Sequence, residues 1–164
     1  MCLSLYFASA GHLPVRNHPI DGPPDFSIEE LAPTAETVRQ WFSLPVIRYI
    51  GTHTGCSCGF HSVVVADEPM EYWEGLFEYN DNNEEDRKRL RTAGFLIELI
   101  HQQLAATQEI QMYPVWQGDE GLPPKGTIEL AASSLDPRTF FFNERFFYRV
   151  RHRAPGEWAH AVTA

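Results

Sequence analysis

Two thiols one residue apart, bracketed by glycines and then by histidines, make Gly55-Cys56-Ser57-Cys58-Gly59 with His53 and His61 the segment of this chain best equipped for chemistry. Its first reading is metal binding. Cys56 and Cys58 supply thiolates and His53 and His61 imidazoles, the ligand types of a tetrahedral zinc site. The spacing is tight for one loop, because structural zinc sites usually draw paired ligands from two separated knuckles. Cys2 or His12 can replace one of the four only if the first strand lies beside this turn.

The same residues admit three other readings. Thiols two positions apart in an extended chain face the same side, and flanking glycines let the backbone tighten, so an easily reduced disulfide is chemically reasonable. Alternatively Cys56 or Cys58 is a nucleophile activated by His53 or His61, with Asp67 as an orienting group. The letters also fit the Gly-x-Ser-x-Gly nucleophile elbow, but that motif needs a helix after the turn and here a valine-rich run follows. The fourth reading is structural: glycines shape the turn and the cysteines are small buried residues without reactivity.

Other candidates carry less. Asp119 and Glu120 sit together on a glycine-flanked loop after Trp116 and could act as base or hold a cation, but adjacent side chains on an extended loop diverge. Glu71, Glu74 and Glu78 form the polar side of an amphipathic pattern. Arg145, Arg149, Arg151 and Arg153 fall on one face of a C-terminal strand, where pairing with the acidic surplus explains them better than an anion site. His18, His101, His152 and His160 show no paired spacing.

The elements that must position the cysteines can be read from periodicity. The run through Ser9 predicts a strand, and the four prolines between His12 and Asp25 predict a loop. A short strand over 26–31 precedes a helix over 35–43, capped by Thr34, with Val38, Trp41 and Phe42 inward. Strands over 46–50 and 61–66 flank the cysteine turn. Met70, Trp73 and Phe77 predict a short helix between Glu68 and Tyr79. Leu90, Ala93, Ile97, Ile100 and Leu104 trace the stripe of a long helix from Glu84 to about Thr107, opened by Asn82-Asn83 and an acidic first turn. Strands follow over 110–116, 127–132 and 139–151. These elements predict a single α+β domain spanning 1–164, with a tail after about residue 155, and a mixed or largely antiparallel sheet packed by one long helix and one or two short ones.

Composition narrows the setting. The formal net charge of -9 disfavours nucleic acid. No apolar run approaches the roughly 18 residues that cross a bilayer, so no membrane span is expected. An odd set of three cysteines does not form a secreted disulfide framework, which points to a reducing cytoplasm. The aromatic-rich elements can furnish the core and a homo-oligomer face.

Met1-Cys2-Leu3-x-Leu5-Tyr6-x-Ala8-Ser9 together with Gly55-Cys56-x-Cys58-Gly59-Phe60 resembles a group of uncharacterised bacterial proteins. The resemblance implies a bacterial, cytoplasmic setting and names no reaction. The expectation drawn from the residues is therefore a thiol-centred site that binds a metal, zinc in the first instance, or performs redox or nucleophilic chemistry. A non-catalytic ligand- or protein-binding module is the competing expectation.

Overall fold

The computed structural model describes residues 2–17, 26–64, 68–70 and 78–152. The helix expected between Glu68 and Tyr79, most of the proline-rich loop, His18, Asp67, Arg153, His160 and the tail lie largely or wholly outside those residues.

Strand propensity and side chains that alternate between two covered faces build one six-stranded sheet. Its members are β1 (Leu3–Ser9), β2 (Phe26–Glu29), β3 (Val46–Thr52), β5 (Glu109–Trp116), β6 (Gly126–Ala131) and β8 (Phe146–Arg151), in the order β2-β3-β1-β5-β8-β6. All neighbours run antiparallel except β6 and β8. β4 (Ser62–Val63) and β7 (Phe142–Asn143) form a separate parallel pair. The fold is α+β, as the mixture of strands and few helices predicts.

The sheet is covered on both sides, and β1 shows why its residues are all buried. Leu5 and Phe7 point to one face, where they join Ile50, Ile110, Met112 and Tyr148 beneath Leu96, Leu99, Ile100 and Leu104 of helix α1 (Glu84–Leu104). Tyr6 and Ala8 point to the other, where Ile47, Tyr113, Val115 and Phe147 meet Ala35 and Val38 of a 3-10 helix, Pro33–Trp41. The α1 stripe is rotated from the expected one: Thr92, Leu96, Ile97, Leu99, Ile100 and Leu104 are buried, while Leu90 and Ala93 are only partly so.

Two expectations need revising. The short helix begins at Pro33 and not after Thr34, because the ring fixes φ at the first helical position; its N-cap is Ala32, with no side-chain cap. The C-terminal run is two strands, divided where Arg145 takes a left-handed φ of 61°. The cysteine turn does lie between two strands, and these join different sheets: β3 belongs to the large sheet and β4 pairs with β7.

Candidate thiol site

The cysteine turn closes a gap between two strands. Beyond their shared stretch β1 and β3 diverge, and a short 3-10 turn, Ser57–Gly59, fills the space. Ser57 accepts the Leu5 N–H at 2.8 Å and donates to the Ile50 carbonyl at 2.6 Å, so one buried hydroxyl replaces a direct rung of the ladder. The Leu3 N–H donates to Cys58 Sγ at 3.2 Å, although the two residues are 55 positions apart. Backbone groups that would otherwise be stranded at the end of β1 thus dictate where the turn docks.

Local chemistry then sets the loop. Gly55 adopts φ 83°, a region that favours glycine, and its N–H donates to Thr52 O at 2.8 Å. Thr52 returns both its N–H and its hydroxyl to Cys56 O, at 2.9 and 2.7 Å. Gly59 packs so closely that a Cβ there would lie 2.5 Å from Thr52 Oγ1. Cys56 caps the turn: its Sγ accepts the Cys58 N–H at 3.4 Å and stands 3.5 Å from Thr54 Oγ1.

This docking brings the first strand's cysteine to the turn. The Sγ atoms of Cys2, Cys56 and Cys58 all lie within 4.8 Å of one another, and all three are free thiols. Among the described residues no other group of three or more histidines, cysteines or acids gathers in this way. The condition set by the sequence for Cys2 to join, that the first strand lie beside the turn, is met.

His53 and His61 are not part of the sulfur cluster. His53 turns to α1, where its Nε2 lies 2.9 Å from Glu85 Oε1 and holds that carboxyl below the usual range. The ring of His61 stacks on Tyr79 at 4.8 Å and 18°, and burial, aided by the positive charge of Arg89, lowers its pKa to about 4. His12 lies past the other end of β1, where its carbonyl accepts from Gln103 of α1.

The sulfurs are electrically unequal. Burial opposes ionisation of Cys56, but hydrogen bonds from Thr54, Cys58 and Cys2 outweigh it and hold this thiol below its ordinary value. Cys58 is pushed up to about 11, first by burial and then by its bond to Cys56. Of the two, Cys56 is therefore the sulfur whose ionisation its surroundings favour.

Cys2 and Cys56 also border a cavity of about 280 Å³ on the sheet face away from α1. Period two along β1 places Cys2, Ser4 and Tyr6 on that face, beside Tyr49 of β3, and Glu120 closes one side. Glu120, half of the acidic pair noted in the sequence, is buried; it accepts from Tyr6 OH at 3.0 Å and from the Gly118 N–H at 2.8 Å. Sequence reasoning had no means of finding Tyr6 and Tyr49, because their value lies in the strand pairing that makes them opposite neighbours. The arginine row behaves as surface pairing: Arg149 and Arg151 meet Glu109, and Arg151 also meets Glu129.

Comparison with protein-family models, curated proteins and solved structures finds no match for the chain.

Proposed function

We propose that this protein binds a soft or borderline metal ion through the thiolates of Cys2, Cys56 and Cys58, with zinc the expected ion. The observation that carries this reading is the convergence of three sulfurs within 4.8 Å from two distant segments. Thiolates each about 2.3 Å from one zinc sit roughly 3.8 Å apart, so small side-chain adjustments complete the set. Hydrogen bonds from Leu3 N–H to Cys58 and from Cys58 N–H to Cys56 are the outer support that orients such ligands. Three protein ligands leave a fourth position for water or an incoming molecule, as in catalytic rather than closed structural zinc sites. On this reading His53 and His61 are not ligands.

Metal analysis of protein purified without chelator tests this. The expected result is roughly one zinc per chain in the parent and in His53→Ala, and loss of zinc in each of Cys2→Ser, Cys56→Ser and Cys58→Ser. A metal-free parent that also fails to take up zinc on titration overturns it.

The lowered pKa of Cys56 favours one second reading, a thiolate nucleophile facing the cavity with Cys58 as the neighbouring protonated thiol. A metal-free protein whose Cys56 is alkylated far faster than a free thiol supports it. Three unreactive thiols and no metal leave the turn with a structural role only.

A further inference from the structure

We infer that the cavity bordered by Cys2 and Cys56 binds a small organic cation, a molecule bearing a protonated amine or guanidinium, with its charged head between Glu29, Glu120 and the two phenols. The inference rests on the metal reading only for the wall that the thiol centre forms.

Glu29, Glu30 and Glu120 are among the residues that line the cavity, and the described lining residues include no lysine, arginine or histidine. The Glu30 carboxylate is already paired with Arg48, at 3.1 Å. Glu120 is 5% exposed, and each of its oxygens accepts one bond from the protein. The two oxygens of a carboxylate offer about four lone-pair positions, so two accepted bonds leave capacity toward a ligand.

The phenols reinforce this polarity. Tyr6 spends its proton on Glu120, and Tyr49 donates to the Gly55 carbonyl at 3.3 Å. Burial keeps both protonated, Tyr49 being pushed up to about 12. Their oxygens therefore meet a ligand as acceptors.

An anion entering this space would meet no fixed cation among the described lining residues, while a donor-rich cation would find acceptors on several sides. The volume of about 280 Å³ lies at the lower edge of small-molecule sites, which restricts the occupant to a short molecule.

Three probes of equal chain length separate charge from shape: 1,4-diaminobutane, succinate and 1,4-butanediol, titrated calorimetrically into the parent and Glu29→Gln, with the amide signals of Gly55, Cys56 and Gln117 followed by NMR. The expected result is binding of the diamine alone, with shifts at those amides, weakened about tenfold or more by Glu29→Gln through loss of one charged acceptor. Succinate bound as well as the diamine, diamine binding indifferent to Glu29→Gln, or no binding of any probe overturns the inference. Metal content of the same samples is measured in parallel. Zinc without diamine binding removes the cation site and leaves the metal centre; diamine binding without zinc does the reverse.

Discussion

At the scale of single residues, the chemistry of the site depends on which sulfur carries charge. Ionisation of Cys56 is favoured by Thr54, by the Cys58 N–H and by its thiol neighbours, whereas burial pushes the Cys58 thiol up to about 11. In metal-free protein, alkylation by iodoacetamide, resolved by mass spectrometry across pH, is expected to modify Cys56 first and at lower pH than Cys58. Thr54→Val removes one stabilising hydroxyl and should move the Cys56 midpoint upward. Modification of Cys58 ahead of Cys56 would contradict the assignment. Much of this site was legible, since two thiols between glycines already suggested metal or thiolate chemistry. The partners were not: histidines near in sequence turned to Glu85 and Tyr79, while Cys2 arrived from the first strand.

At the scale of elements, the thiol turn is held by close packing with no slack. A Cβ on Gly59 would intrude on Thr52 Oγ1 at 2.5 Å and on Thr52 Cβ at 2.8 Å. Gly59→Ala should therefore cost about 1–3 kcal/mol in denaturant unfolding and lower zinc occupancy along with stability. The long helix offers a second test, because its N-cap supplies no atom to the sulfur cluster: Asn83 Oδ1 accepts the N–H groups of Glu85 and Asp86. Asn83→Ala should cost about 1 kcal/mol without altering metal content. Helix α1 was readable because its apolar period persists for several turns and its cap residue is explicit. The C-terminal strand was misjudged as continuous because a single left-handed residue, Arg145, leaves no mark on an alternating pattern.

At the scale of the whole molecule, burial links stability to acid. His61 is held neutral by burial and by Arg89, its pKa falling from an ordinary 6.5 to about 4. A depressed histidine supports the fold fully above about pH 6.5, and that support is lost as pH falls toward 4, since the unfolded chain takes the proton more readily. The shift corresponds to about 3 kcal/mol at its limit, reduced to about 1–2 kcal/mol because the ring is only partly buried. The difference in unfolding free energy between the parent and His61→Gln, measured from pH 7 to pH 4, should move against the parent by that amount. A difference independent of pH would show that the ring titrates normally.

The sequence by itself determined what is local: the period of α1, the alternation that buries Leu5 and Phe7 on one face and Tyr6 on the other, and the presence of paired thiols in a glycine-bracketed turn. These follow from side-chain size, polarity and backbone freedom, which neighbours along the chain already express. Only the tertiary structure decided that the turn would dock on β1 through Ser57 and Cys58, and so bring Cys2 to Cys56. Strand pairing is chosen by which distant backbone groups would otherwise remain unsatisfied, and no spacing along the chain encodes that choice. The same pairing set Tyr6 and Tyr49, which no spacing in the sequence singles out, side by side in the wall of one cavity that Glu120 also lines.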